Sequence, residues 1–569
     1  MNVRVLPDVS GLDKEFDYAV PESMVPSIAV GAMVRVELAN RRVDGWVTAI
    51  NPPDVTSNSA LRYILKFRGI GPSAEVIVSA TTIAEKFMGR RRAILTMASP
   101  DTLVSALPAD RRHASYPGGG QLADLHSRGG GLIWCGVHQD PTELLRSIAR
   151  HGSLLAVVPA LRTARMVASE MRGSGFSVAL MPDDWAQAAA GVDVIIGARG
   201  SVWAPMVAPS SIVVWDEHDE SLNEERVPTW NTRDVAIERA ANTGAACFFV
   251  SPTPSPQALE WAQGRIYASD DKDTWQGVKV IDMASDGPVI GSFSSELLEA
   301  ARDRSKTVLC VTNSTGVGRL LVCKQCKSVA RCEKCDSLVV QSTDSTLHCE
   351  ACGTDRPVIC KECAAGAFKN LRRGTTRLCT ELAQACGREV TELTAARRGD
   401  LPSGTPYVAV GTEALLHRAH GADVVAFIDI DSELNSGFYR ANEIALGLVT
   451  RALRLVASRG EVIVQTHDPR RPLLDHLARG EVTAVVESEL AMRRALNLPP
   501  FSVLASVSGA GANAWFDALA QIALPIGCDV NAAAGLVRAT DYHALRLVLE
   551  SVPQQRGERV RFAVQPLRA

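Results

Sequence analysis

Ser211-Ile-Val-Val-Trp-Asp-Glu-His-Asp219 decides how this chain is organised. Its β-branched and aromatic run reads as a buried strand, and four polar residues follow at once. A parallel sheet delivers acidic groups to its ligand at the carboxyl ends of its strands. Asp216, Glu217 and His218 are therefore the candidate reactive residues, set against the plainer reading of a solvated turn.

Working outward, the runs Leu154 to Val158, Val192 to Ile196 and Cys247 to Val250 alternate with helical stretches. This alternation is the grammar of a parallel α/β layer. A second series follows: Val308 to Thr312, Tyr407 to Val410, Val424 to Ile430 and Glu461 to Gln465, with a cysteine block after its first strand. The expected fold is α/β and multidomain, with one lobe over 131–290 and a second over 291–320 and 366–486. Residues 1–55 alternate in short runs and read as a small N-terminal β domain. Residues 56–130 read as a helical linker closing in the glycine clusters 118–120 and 129–131, taken as a boundary. From 487 to 569 the pattern is mixed α+β.

The chain has 569 residues, 46% hydrophobic and 22% charged, which needs several cores and excludes a disordered chain. Charged residues interrupt the first twenty positions and no run of about eighteen apolar residues occurs, so no secretory signal or membrane span is expected. The cytoplasm is the expected compartment. A formal charge of −3 leaves nucleic-acid binding to local patches. Only 11 lysines occur, and none between Lys86 and Lys272.

Cys323, Cys326, Cys332, Cys335, Cys349, Cys352, Cys360 and Cys363 form four C-x-x-C pairs within 41 residues. Two thiolates separated by a two-residue gap can face one ion about 2.3 Å away, and four close a tetrahedral structural zinc site. Eight imply two zinc ions, against disulfides or iron–sulfur use. Spacing alone does not fix the pairing. A nested scheme needs no crossing: Cys332, Cys335, Cys349 and Cys352 inside, Cys323, Cys326, Cys360 and Cys363 outside. The six remaining cysteines read as packing residues.

Phe16-Asp-Tyr18, Gly31 to Val36 and Arg42-Val-Asp-Gly-Trp-Val47 at the start, the cysteine block, and Arg493-Arg-Ala-Leu-Asn-Leu-Pro-Pro-Phe501 near the end together resemble the primosomal replication-restart helicase family, PriA. Gly197 to Ser201, Val214 to Asp219, Ser251 to Pro254 and Gly411 to Glu413 stand where superfamily-2 motor motifs belong. The resemblance implies two RecA-like lobes carrying a two-zinc insertion, and an amino-terminal domain that captures a strand's 3′ end. Phe16, Asp17, Tyr18, Arg35 and Arg42 would then contact DNA. It also implies forked and single-stranded DNA, primosome proteins, the replicative helicase or its loader, and single-strand binding protein as partners, with a nucleoid-associated location and no membrane.

The motor segments depart from that family where phosphate must be neutralised. Cys135-Gly-Val-His-Gln-Asp-Pro-Thr-Glu143 keeps Gly136 and Thr142 as a vestigial phosphate loop but has no lysine. Trp215 takes the place of the leading aspartate, and Arg451 and Arg454 fall out of the register of the final arginine motif. The segment before residue 131 also looks short for the family's winged-helix module. The expectation is a fork-recognition and primosome-assembly protein without ATP turnover and without catalytic residues, for which ATP with Mg2+ is poorly held. An active ATP-dependent 3′–5′ helicase and a zinc-ribbon protein scaffold are the alternatives.

Overall fold

The computed structural model describes all residues except 55–60, 114–121, 271–274, 276, 286–291, 313–320, 327, 335–337, 344–345, 350–352, 371–373, 395–400, 403, 554–558 and 569. The first element is a five-stranded antiparallel sheet. Its strands Met33–Leu38 and Arg41–Ile50 are joined by Ala39 and Asn40, both at positive φ (49° and 61°), as a tight hairpin turn requires. Two helices follow. Ala74–Lys86 is capped by Ser73, whose hydroxyl accepts the Val76 N–H, and Arg91–Ala98 comes next. Buried Arg239 ties the first helix to the next domain, donating to Glu75 at 2.8 Å.

That domain is a seven-stranded sheet in which every observed pairing is parallel. Its strands Gly130–Trp134, Leu154–Val157, Ser211–Trp215 and Ala246–Ser251 are buried throughout, as strands covered by helices on both faces must be. Of the glycines read as a loop at the boundary, Gly130 and Gly131 lie in the first strand of this sheet. A Cβ on Gly130 would lie 1.9 Å from the Cys247 carbonyl oxygen, and one on Gly131 would lie 2.2 Å from that of Arg265. The glycines are there because neighbouring backbone approaches on each side.

The second lobe is a six-stranded sheet whose pairings are also parallel. Its edge strand, Val278–Asp282, lies in the stretch assigned to the first lobe, yet it pairs with Val456–Thr466. The lobe boundary therefore falls before residue 278. The cysteine insertion leaves this lobe after Val308–Val311 and returns before the helix Thr375–Cys386. Arg331 pins it to the lobe through Asp468 at 2.6 Å. The carboxy-terminal part is a four-stranded antiparallel sheet with the helices Ala512–Leu519 and Tyr542–Glu550, the expected α+β unit. One hydrophobic core runs from Leu6 and Trp46 through the two helices and one face of the first lobe to Val564. Among the described residues, no helix is long and apolar enough to cross a membrane.

Candidate functional site: a metal centre and an interlobe cleft

The metal centre is built on a short ribbon. Leu321–Cys323 pairs antiparallel with Phe368–Asn370, placing Cys323 opposite Phe368. The sulfurs of Cys323, Cys326, Cys360 and Cys363 all lie within 4.8 Å of one another. Cys323 and Cys363 approach to 3.5 Å, as do Cys326 and Cys360. Four thiols at this spacing are the donor set of a closed zinc site, and the outer pairs of the nested scheme supply it. Burial opposes ionisation of Cys360, but hydrogen bonds from Ser328 and the backbone bring its thiol down to about 6, toward the thiolate a metal needs. Cys332 and Cys349 are buried together in the insertion's small core. Their partners Cys335 and Cys352 lie outside the described residues.

The acidic loop leaves the strand Ser211–Trp215 with Asp216 at φ +52°, a left-handed turn that non-glycine residues seldom take. Each of its side chains is already engaged. Glu217 is buried within its own lobe, accepting from Arg233 at 2.9 Å and from the Ser255 hydroxyl at 2.8 Å and N–H at 2.6 Å. His218 faces the Ser251 hydroxyl at 2.7 Å, and burial pushes its ring toward the neutral form. Asp216 and Asp219 reach across to the second-lobe helix Ala441–Leu455. Arg454 donates both terminal nitrogens to Asp216, one at 2.8 Å, and its Nε to the Val137 carbonyl at 2.8 Å. Arg451 pairs with Asp219 and, at 3.0 Å, with Glu413. Burial opposes the charge on Asp219, yet Arg451 holds its carboxyl well below the usual range. The cavity bounded by His218, Gly447 and Arg451 measures about 20 Å³, room for about one water.

The stretch Cys135 to Glu143, expected as the phosphate loop, carries its own acidic cap. Asp140 caps the helix Pro141–Ala149 by accepting the Thr142 N–H at 2.8 Å, and Pro141 offers no N–H at all. Glu143 adds a second carboxylate in the first turn. A helix N-terminus attracts phosphate through free N–H groups and a positive field. Here the Asp140 carboxylate already accepts the N–H of Thr142, one of the two residues, with Gly136, named for the phosphate loop. Arg162 and Arg199, arginines of the lysine-free stretch, are committed elsewhere. Arg162 lies 2.6 Å from His420, and Arg199 donates to the carbonyls of Ser221 and Asn223 and to Glu224.

The sequence missed one cavity, of about 890 Å³, between both lobes and the carboxy-terminal domain. Arg199, Glu220, Thr412, Asp429, Glu433 and Arg568 line it, drawn from segments far apart in the chain, so no local signal could have found it. Burial, then nearby Glu413, pushes Glu220 up to about 7.

In the amino-terminal sheet, Phe16 is half-buried on an edge strand and Arg42 is exposed. Asp17 is held by Arg4 at 2.9 Å and Arg35 by Asp44 at 2.7 Å. The Tyr18 ring does not face solvent as the sequence reading required. It is 3% exposed in the sheet core, with its hydroxyl donating to the Glu37 carbonyl at 3.1 Å.

Comparison with known proteins gives this geometry its context. Residues 4–100 match the model of a family described as the PriA 3′DNA-binding domain (3′BD), a span that takes in both helices after the sheet. The replication restart protein PriA of Thermotoga maritima is 27% identical over 402 residues, covering 64% of this chain and 54% of that protein. That of Bacillus subtilis is 24% identical over 405 residues, covering 63% and 50%. The probable replication restart protein PriA of Mycobacterium leprae is 26% identical over 567 residues, covering 88% and 86%. The chain thus spans about half the length of the first two and most of the third.

Proposed function

We propose that this chain, similar to the replication restart protein PriA over as much as 88% of its length, recognises abandoned or stalled replication forks and helps assemble the primosome for helicase reloading, without turning over ATP itself. The observation that carries the reading is the pairing of Arg454 with Asp216, with Asp140 capping the adjacent helix. Charges that would neutralise a triphosphate are spent on the protein's own carboxylates. Removing one preorganised electrostatic contact typically costs about 10² to 10³ in rate, and here the lysine, the leading acid and the arginines are all altered together.

An ATPase assay with forked DNA tests the reading. Turnover stays below about 1 per second. Faster DNA-stimulated hydrolysis, lost in Glu217→Gln, would restore the helicase.

The match of residues 4–100 supports capture of a 3′ end by the amino-terminal sheet. Phe16 is the ring able to stack on a terminal base and Arg42 the exposed phosphate contact, with Asp17 and Arg35 positioned by their ion pairs. Fork affinity should fall when the 3′ hydroxyl is replaced by phosphate, and Arg42→Ala should reduce the salt dependence of binding by about one unit of slope. The cysteine insertion holds two zinc ions in this reading. The remaining partners are primosome proteins, the replicative helicase or its loader, and single-strand binding protein.

A further inference from the structure

We infer that Arg451 and Arg454 stand in for a bound nucleotide and hold the two lobes in one fixed arrangement. The inference rests on the reading of the chain as one that does not turn over ATP, and adds what has replaced the ligand.

Gly447, Arg451 and Arg454 are spaced four and three residues apart, so they share one face of the helix Ala441–Leu455. All three meet the acidic loop of the other lobe. A Cβ on Gly447 would stand 3.5 Å from Cδ2 of His218, so the helix backbone rides close to that ring. Arg451 engages Asp219, and Arg454 engages Asp216 together with the Val137 carbonyl in the loop after the first strand of the first lobe. The left-handed backbone at Asp216 bends the loop where its side chain meets Arg454.

In a two-lobed protein, a ligand shifts the balance between open and closed only by its differential affinity for the two states. A triphosphate arriving here would first have to displace Asp216 and Asp219 from the arginines, losing partly buried pairs that solvent salt screens less than exposed ones. The lobes therefore stay closed whether or not nucleotide is present.

Hydrogen–deuterium exchange and small-angle scattering on the full zinc-loaded chain test this. Residues 135–140 and 214–222 of the wild type should exchange equally with and without 5 mM Mg-ATP, and scattering should not change. Arg454→Glu should raise exchange in both segments at least tenfold and enlarge the radius of gyration. The swapped pair Asp216→Arg with Arg454→Asp should restore both. If the single reversal misfolds, Arg454→Gln with unchanged zinc content should show the same rise. Protection of the wild-type segments by Mg-ATP would overturn the inference, and so would unchanged exchange in Arg454→Gln. ATP turnover by a wild type whose variants open as described would overturn the functional reading and the replacement of nucleotide with it, leaving only an interlobe tether. Absent turnover with unchanged exchange would remove the clamp alone.

Discussion

In the insertion, four sulfurs converge within 4.8 Å, each beside like groups. In the cleft, Asp216 and Asp219 each meet an arginine from the opposite lobe. Both constellations gather residues from distant parts of the sequence, and they differ in what completes them. Four thiols cannot satisfy one another: hydrogen bonds between sulfurs are weak, and ionised thiolates repel until a cation takes their charge. Carboxylates and guanidiniums in alternation already neutralise each other. A cluster of like donors calls for a cation, whereas paired opposite charges are balanced within the protein.

The contrast breaks first at the insertion. Cys360→Ser should lower the zinc content by one ion per chain in elemental analysis and loosen the ribbon, because an apparent binding energy of about 10–16 kcal/mol is at stake in a structural site. Both lobes should remain folded by circular dichroism, since the knuckles lie outside their sheets. Unchanged metal stoichiometry would mean that these thiols are not the site.

The cleft should respond less, and to charge rather than to metal. Arg233→Met leaves Glu217 buried without its cation and should cost about 3–5 kcal/mol in urea unfolding, with bonds from Ser255 favouring the lower figure. Adding Glu217→Leu should recover most of the loss. A chelator should destabilise the insertion and leave the Arg233 effect untouched.

The smallest effect concerns pH. Glu220 is raised from its ordinary 4.5 to about 7, by burial first and Glu413 second. The folded state resists the charged form, so this residue costs nothing below about 4.5; its penalty grows between 4.5 and 7 and is constant above. Glu220→Gln should match the wild type at pH 4 and exceed it at pH 8 by about 1–3 kcal/mol, less whatever the Arg568 contact contributes. Equal stability at both values would place Glu220 in contact with water.

Much of this was legible in advance because period and spacing are local. The strands around Leu155, Val213, Phe248 and Val425 announce themselves by β-branched runs, and the cysteine pairs by their two-residue gaps. Spacing left the grouping of the pairs open, and the antiparallel ribbon Leu321–Cys323 with Phe368–Asn370 is what brings the outer four together. Gly130 and Gly131 misled because glycine reads as a turn, whereas here it makes room for the carbonyls of Cys247 and Arg265. Tyr18 misled because an aromatic residue in a two-period strand can face either way, and the register of the sheet turned it inward. The interlobe pairing was out of reach. Asp216 and Arg454 are 238 residues apart, and in the sequence Arg454 showed only as an arginine in the wrong register.

The core that holds both Leu6 and Val564 has a mechanical consequence. In an optical trap with handles near these residues, tension would pass from the amino-terminal sheet through the first lobe into the carboxy-terminal sheet by side-chain contact. The second lobe, with its insertion, would hang beside that line of force as an unloaded branch. Rupture should begin by shearing this shared core, releasing the segment around Phe562 and Val564 from the first lobe, while the cysteine knuckle stays slack until much of the chain has already been paid out.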